Sequence, residues 1–116
     1  MLMNQYTPQC GDIVWLSFSP QAAHEQAGRR PGLVLLPKRY KAKIGLMIAC
    51  PITSKSRGYP FEVDIPSGAG VTGVILSDQI RSLDGRERRA EFAGRVDVGT
   101  LDEVRSKLDA VLPEGG

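Results

Sequence analysis

Gly11-Asp12-Ile13-Val14-Trp15-Leu16-Ser17-Phe18 is the stretch whose reading decides the fold. In an extended chain Ile13 and Trp15 project to one side and Val14, Leu16 and Phe18 to the other. With apolar groups on both faces it reads as a strand buried on both sides, which puts Trp15 in the core. Pro20 ends it. Beyond a polar loop, Pro31 to Leu36 gives a second apolar strand closed by Pro37, and Ile44 to Cys50 a third, which Pro51 is expected to stop. Phe61, Val63 and Ile65 then alternate with Glu62 and Asp64, as in a strand with one wet face, and Phe61 is expected in the core. Gly73 to Ser77 makes a fifth strand ending in Asp78 and Gln79. Ile80 to Leu83 continues it, Asp84-Gly85 signals a hairpin turn, and Glu91 to Val96 forms a last short strand. Helical signals come only at the end: Thr100 with Glu103 forms a capping box, and Leu101, Val104, Leu108 and Val111 recur on one face until Pro113. The chain is therefore expected to be mainly β with a C-terminal α-helix, its antiparallel sheet strongly bent or rolled into an open barrel.

Its 116 residues, 41% hydrophobic and 24% charged, suit one ordinary globular domain over residues 1–116. No basic segment followed by an apolar run opens the sequence and no run is long enough to cross a bilayer, so a cytoplasmic protein without membrane contact is expected. Cys10 and Cys50 form no CxxC pair and are expected as reduced thiols. The net charge of +2 is slight, but Lys38, Arg39, Lys41 and Lys43 surround Tyr40, and Arg81, Arg86, Arg88, Arg89 and Arg95 crowd a later stretch. Such a face attracts phosphates by counterion release, although charge alone favours a solvated surface.

The polar stretch His24-Glu25-Gln26-Ala27-Gly28-Arg29-Arg30-Pro31 concentrates a histidine, a carboxylate, an amide and two guanidinium groups in one loop against an apolar strand. Arg30 precedes Pro31, which biases it toward extended backbone. One histidine and two distant cysteines offer no zinc-spaced ligand set, so no metal is expected. No GxGxxG or phosphate-loop motif occurs, so no nucleotide cofactor is expected, and no serine lies in a nucleophile elbow. What remains is Glu25, Gln26 and Arg30 in one loop, Thr53 and Ser54 in a second, and Asp78, Gln79 and Arg81 in a third. If the loops share a rim, guanidinium forks and hydroxyls grip phosphate oxygens there. RNA cleavage needs no more, because the RNA's own 2′-hydroxyl attacks phosphorus once aligned, deprotonated and relieved of phosphorane charge.

Each residue also has a structural reading. A lone histidine such as His24 is more often a surface group than a catalyst. Arg29 reads as solvated, and Arg30 pairs with Glu25 or Asp78 as readily as it binds substrate. Thr53 can simply satisfy a turn after Pro51. Tyr40 and Tyr59 offer stacking faces to unpaired bases, although Gly58 and Pro60 favour a packed turn for Tyr59.

Taken in order, Gly11-Asp12-Ile13-Val14-Trp15, the His24 to Pro31 loop, Pro51-Ile52-Thr53-Ser54, Gly58-Tyr59-Pro60-Phe61 and Asp78-Gln79-Ile80-Arg81 resemble the MazF/PemK toxins of bacterial type II toxin–antitoxin pairs. The resemblance covers nearly the whole chain up to the terminal helix. It implies a small CcdB-like, SH3-related antiparallel barrel acting as a homodimer, with a cognate MazE-like antitoxin. It also implies sequence-specific, metal-independent endoribonuclease cleavage of single-stranded RNA, leaving a 2′,3′-cyclic phosphate and a 5′-hydroxyl and inhibiting translation and growth. Position by position it assigns the catalytic arginine to Arg30 and the catalytic threonine to Thr53, with Glu25, His24 or Asp78 assisting at the 2′-hydroxyl. Gln26, Arg29, Tyr40, Ser54, Lys55, Gln79 and Arg81 are the residues expected to contact RNA. Leu76 stands where the PemK branch has an arginine, so an aspartate–arginine base–acid pair does not transfer. An arginine stays protonated, which gives its charge role more weight than an acid role. Two rivals share the fold: a CcdB-like topoisomerase poison without enzymatic activity, and an SH3-like binding module.

Overall fold

A computed structural model describes residues 6–18, 29–35, 46–85 and 88–111. Among them run β1 (Asp12–Ser17), β2 (Arg29–Val34), β3 (Leu46–Thr53), β4 (Glu62–Asp64), β5 (Val74–Leu76), β6 (Arg81–Asp84), β7 (Glu91–Arg95) and α1 (Val98–Val111), with a 3₁₀ turn at Ser77–Gln79. β1 lies between β2 and β7 and pairs antiparallel with both.

The two-sided apolar pattern of β1 has a direct cause: the sheet carries a core on each face. Ile13 joins Leu33, Cys50, Ile52, Val63, Ile75 and the α1 residues Leu101 and Val104 on one side. Val14 and Leu16 join Val34, Met47, Ala49 and Leu83 on the other. Burying a side chain of this size contributes roughly 1.5–3 kcal/mol. Trp15 departs from the expectation, being 40% exposed and outside both cores. Phe61 is only half-buried.

β3 runs through Pro51 instead of stopping there. On one side Pro51 pairs with Gly32 of β2. On the other, β6 pairs with β3 only as far as Ala49 and β5 begins at Ile52, so the missing N–H falls where no strand asks for it. Ile80 to Leu83 likewise does not continue β5. The 3₁₀ turn redirects the chain, and β6 pairs with the first half of β3 while β5 pairs with its end. Asp84-Gly85 does make a turn, with the Arg88 N–H donating to Asp84 O at 3.0 Å. The strands it links, β6 and β7, pair with β3 and β1 and form no hairpin.

The sheet is not closed into the expected barrel. Its order is β4-β5-β3-β2-β1-β7, and among the described residues β4 and β7 remain unpaired ends. The gap is covered by the turn after β4, where the Arg95 N–H of β7 donates to Ala69 O at 2.9 Å. α1 begins earlier than the Thr100 box predicts. Asp97 caps it, accepting the Thr100 N–H at 3.1 Å and the Thr100 hydroxyl, and Thr100 is buried inside the first turn.

Candidate active site

The N-terminal end of β2 and the C-terminal end of β3 border a cleft of about 450 Å³, lined by Arg30, Pro31, Ile52, Thr53 and Ser54, with Trp15 from β1. Gly70, Val71 and Thr72 of the β4–β5 turn form a further wall. Register explains why Arg30 and Thr53 share it. β2 and β3 pair antiparallel, the last pair being Gly32 with Pro51, and Arg30 and Thr53 each lie two residues beyond that pair, at the same end of the two strands and on the same side by strand alternation. Gly73 lets the wall approach: its φ is +128°, and an added Cβ would stand 2.3 Å from Thr53 O.

The Thr53 Oγ1 accepts the Lys55 N–H at 3.2 Å, the turn bond expected of a threonine after a strand. That bond occupies a lone pair and leaves the hydroxyl proton to be donated elsewhere. Arg30 is exposed, and among the described residues no carboxylate pairs with it, Asp78 included.

Arg29 behaves in the opposite way and corrects its expected role. Far from being a solvated RNA contact, its side chain is 4% exposed and pairs with Glu91 at 2.8 Å. Its guanidinium also donates to Trp15 O at 3.0 Å and to the carbonyl of Arg89. Five fixed donors suit an arginine to tying several carbonyls together, and here they fasten the turn before β7 to β1. Strand alternation sends Arg29 inward and leaves Arg30 at the cleft.

Asp78, Gln79 and Arg81 do not line the cleft. Asp78 and Gln79 lie exposed on the 3₁₀ turn, which packs on α1. Arg81 sits over the Phe18 ring, 5.9 Å from its centroid, and donates to Phe18 O at 3.3 Å. Burial and, secondarily, the nearby Asp78 charge push the Cys50 thiol up to about 12, so it remains protonated at neutral pH. Lys55 contributes its backbone to Thr53 from the exposed loop beyond. His24, Glu25, Gln26 and Tyr40 lie outside the described residues. Tyr59, expected in a packed turn, is 58% exposed. Asp12 is buried, accepts the Tyr6 hydroxyl at 2.6 Å and pairs with Arg95, so its carboxylate is spent on structure.

Sequence reasoning missed Trp15, Val71 and Thr72 as cleft walls. For the last two, the glycines at 68, 70 and 73 signalled a tight turn without saying what it would approach.

Residues 9–112 match the family described as PemK-like, MazF-like toxin of type II toxin–antitoxin system. The chain is 39% identical over 111 residues to the endoribonuclease toxin MazF of Escherichia coli K12, covering 96% of this chain and 99% of that one. It is 32% identical over 109 residues to the endoribonuclease PemK of Escherichia coli, covering 88% and 80%. Among solved structures it superposes on MazF from Deinococcus radiodurans with a TM-score of 0.83 at 54% identity, over 92% of this chain and 97% of that one. A MazE–MazF structure from the same organism gives 0.81 at 48% identity, over 92% and 96%. With matches of this extent and likeness, the chain belongs to the PemK-like, MazF-like toxins of type II toxin–antitoxin systems.

Proposed function

We propose that the cleft shared by Arg30 and Thr53 is where this toxin cuts single-stranded RNA, the ribose 2′-hydroxyl attacking the adjacent phosphorus and the 5′-oxygen leaving. The chain is an endoribonuclease toxin of a toxin–antitoxin pair, the activity named for its near full-length relatives. One observation carries the choice of site: a guanidinium and an alcohol from two different strands line a single cleft.

The chemistry follows from those two groups. Arg30 offers parallel N–H donors and a positive charge to the non-bridging phosphate oxygens, which matters most when the phosphorane gathers negative charge. Thr53, its oxygen held by the Lys55 N–H, points its proton to a phosphate oxygen and so aligns the phosphorus for in-line attack. Asp78 lies outside the cleft lining. The proton of the 2′-hydroxyl is therefore assigned to Glu25 or His24, on the segment that runs directly into β2. Trp15, Val71 and Ile52 give the cleft an apolar side against which a base can stack. Its volume falls within the roughly 300–1,000 Å³ of ligand pockets.

A MazE-like antitoxin is the expected partner, since structures of MazE with MazF exist for relatives. Action as a homodimer, in the cytoplasm, on messenger RNA completes the proposal. Among the described residues no helix is long and apolar enough to cross a membrane. Incubating the purified chain with a long unstructured transcript and a chelator tests it. Fragments with 5′-hydroxyl and cyclic-phosphate ends are expected, with cut sites mapped by primer extension. Intact RNA alongside growth arrest would instead point to a protein-blocking poison, and intact RNA without arrest to a binding module.

A further inference from the structure

We infer that Glu62 is a positioning residue for RNA binding: it fixes the loop leaving the cleft at Ser54, so that Lys55 and Arg57 meet an incoming strand from set places. The inference rests on the cleft reading above.

Residues 54 to 60 are all exposed, so burial in a core does not shape this loop. Polar bonds to one carboxylate do. Glu62 Oε1 accepts the Ser56 hydroxyl at 2.7 Å and the Gly58 N–H at 3.2 Å, while Oε2 accepts the Arg57 N–H at 2.9 Å. Gly58 closes the turn at φ +75°, a conformation that favours glycine; nothing lies within 4 Å of where its Cβ would be, so space is not the reason. From α1, Lys107 Nζ donates to Pro60 O at 2.9 Å and to Glu62 O at 3.1 Å, tying the far end of the loop to the helix. At the near end stands the Lys55 N–H bond to Thr53 Oγ1. The loop is thus fastened at both ends and through its middle, starting from a cleft residue. Glu62 faces backbone amides and a hydroxyl, and among the described residues no carboxylate pairs with Lys55 or Arg57. Two exposed cations, one and three residues along the chain from the cleft residue Ser54, are thus left to the RNA backbone. Exposed loops without such ties open at little cost, and a cation on a wandering loop gives up part of its attraction in being ordered.

The test is steady-state cleavage of an oligoribonucleotide spanning a mapped cut site. Glu62→Ala is expected to raise KM about tenfold while kcat stays within about twofold, because the chemistry of Arg30 and Thr53 is untouched. The dependence of log affinity on log salt should flatten, each lost phosphate contact on a single strand being worth about 0.7 in slope. In a Lys55→Ala/Arg57→Ala background, Glu62→Ala should add no further loss, since its effect passes through those two cations. Glu62→Gln, which keeps one acceptor oxygen, should fall between. An unchanged KM, a kcat loss as large as the KM effect, or full additivity in the double-alanine background would each overturn the inference. Should Glu62→Ala not fold by circular dichroism, Lys107→Met loosens the same loop from the helix side, and the same three criteria decide. Wild-type protein that leaves the RNA intact defeats the cleft reading itself, a separate outcome.

Discussion

Arg29 and Arg30 are adjacent, identical in chemistry and opposite in placement, one buried and paired with Glu91 and the other exposed at the cleft, which shows what a residue-level reading can reach. Residue type, the following proline and the family resemblance singled out Arg30 and Thr53, and the structure brings both to one cleft. Arg29 was illegible because its carbonyl partners at Arg88 and Arg89 lie 59 and 60 positions away, and no local pattern announces such a bond. The roles assigned to Arg30 and Thr53 separate by side-chain chemistry. Removing a donor aimed at developing charge costs about 10²–10³ in kcat, and that loss is expected for Arg30→Ala and Thr53→Val. Thr53→Ser keeps the hydroxyl and should retain most activity, whereas Arg30→Lys keeps the charge but loses the fork and should recover only part. Single-turnover rates and thermal melts on the same preparations check this. Full-rate cleavage by folded Thr53→Val would remove the hydroxyl from the mechanism.

At the scale of elements, strands were readable wherever alternation or a two-faced apolar run set them, while their ends and partners were not. Pro51 looked like a stop because the rule against proline assumes a neighbour that wants its N–H, and β3 changes neighbours at that point. The helix start was misplaced by three residues for a comparable reason: Asp97 and Thr100 are both good caps by type, and only the burial of Thr100 decides between them. Losing the cap through Asp97→Ala should lower the Tm by about 4 °C at neutral pH. The Thr100 hydroxyl and then its N–H hold the Asp97 carboxyl below the usual carboxylate range. A group depressed in the folded state contributes stability above its unfolded pKa and loses it as the pH falls toward the folded value. The difference between wild type and Asp97→Ala should therefore narrow below about pH 4. Thermal melts from pH 7 to pH 3 measure it, and a gap that does not change with pH would deny the cap an ionic origin.

For the whole molecule, the decisive feature is how an unclosed sheet still builds three sides of a cleft. Strand alternation gave the sheet, and the resemblance gave a barrel, but neither specified that the last gap is bridged by a turn. That bridge depends on two backbones approaching without side chains between them. A Cβ on Gly94 of β7 would stand 1.8 Å from Ala69 O and 3.1 Å from Gly70 Cα, and one on Gly70 would stand 2.4 Å from Ala93 O. Because those neighbours are backbone, no side chain can swing aside to make room. Gly70 also begins the cleft wall that continues through Val71 and Thr72, so the contact that covers the gap holds that wall in place. Gly94→Ala is therefore expected to destabilise the fold by about 1–3 kcal/mol and to weaken cleavage, as the turn is pushed away from β7 and the cleft widens. Gly99→Ala makes the comparison fair. It adds the same methyl group within α1 with only an ordinary 3.5 Å contact to Asp97, and should leave stability equal or higher and activity unchanged. Denaturant unfolding and kcat/KM for the two variants decide the matter. If Gly94→Ala were as stable and as active as Gly99→Ala, the turn and β7 would not be in the contact described, and the third wall of the cleft would have to be held by something else.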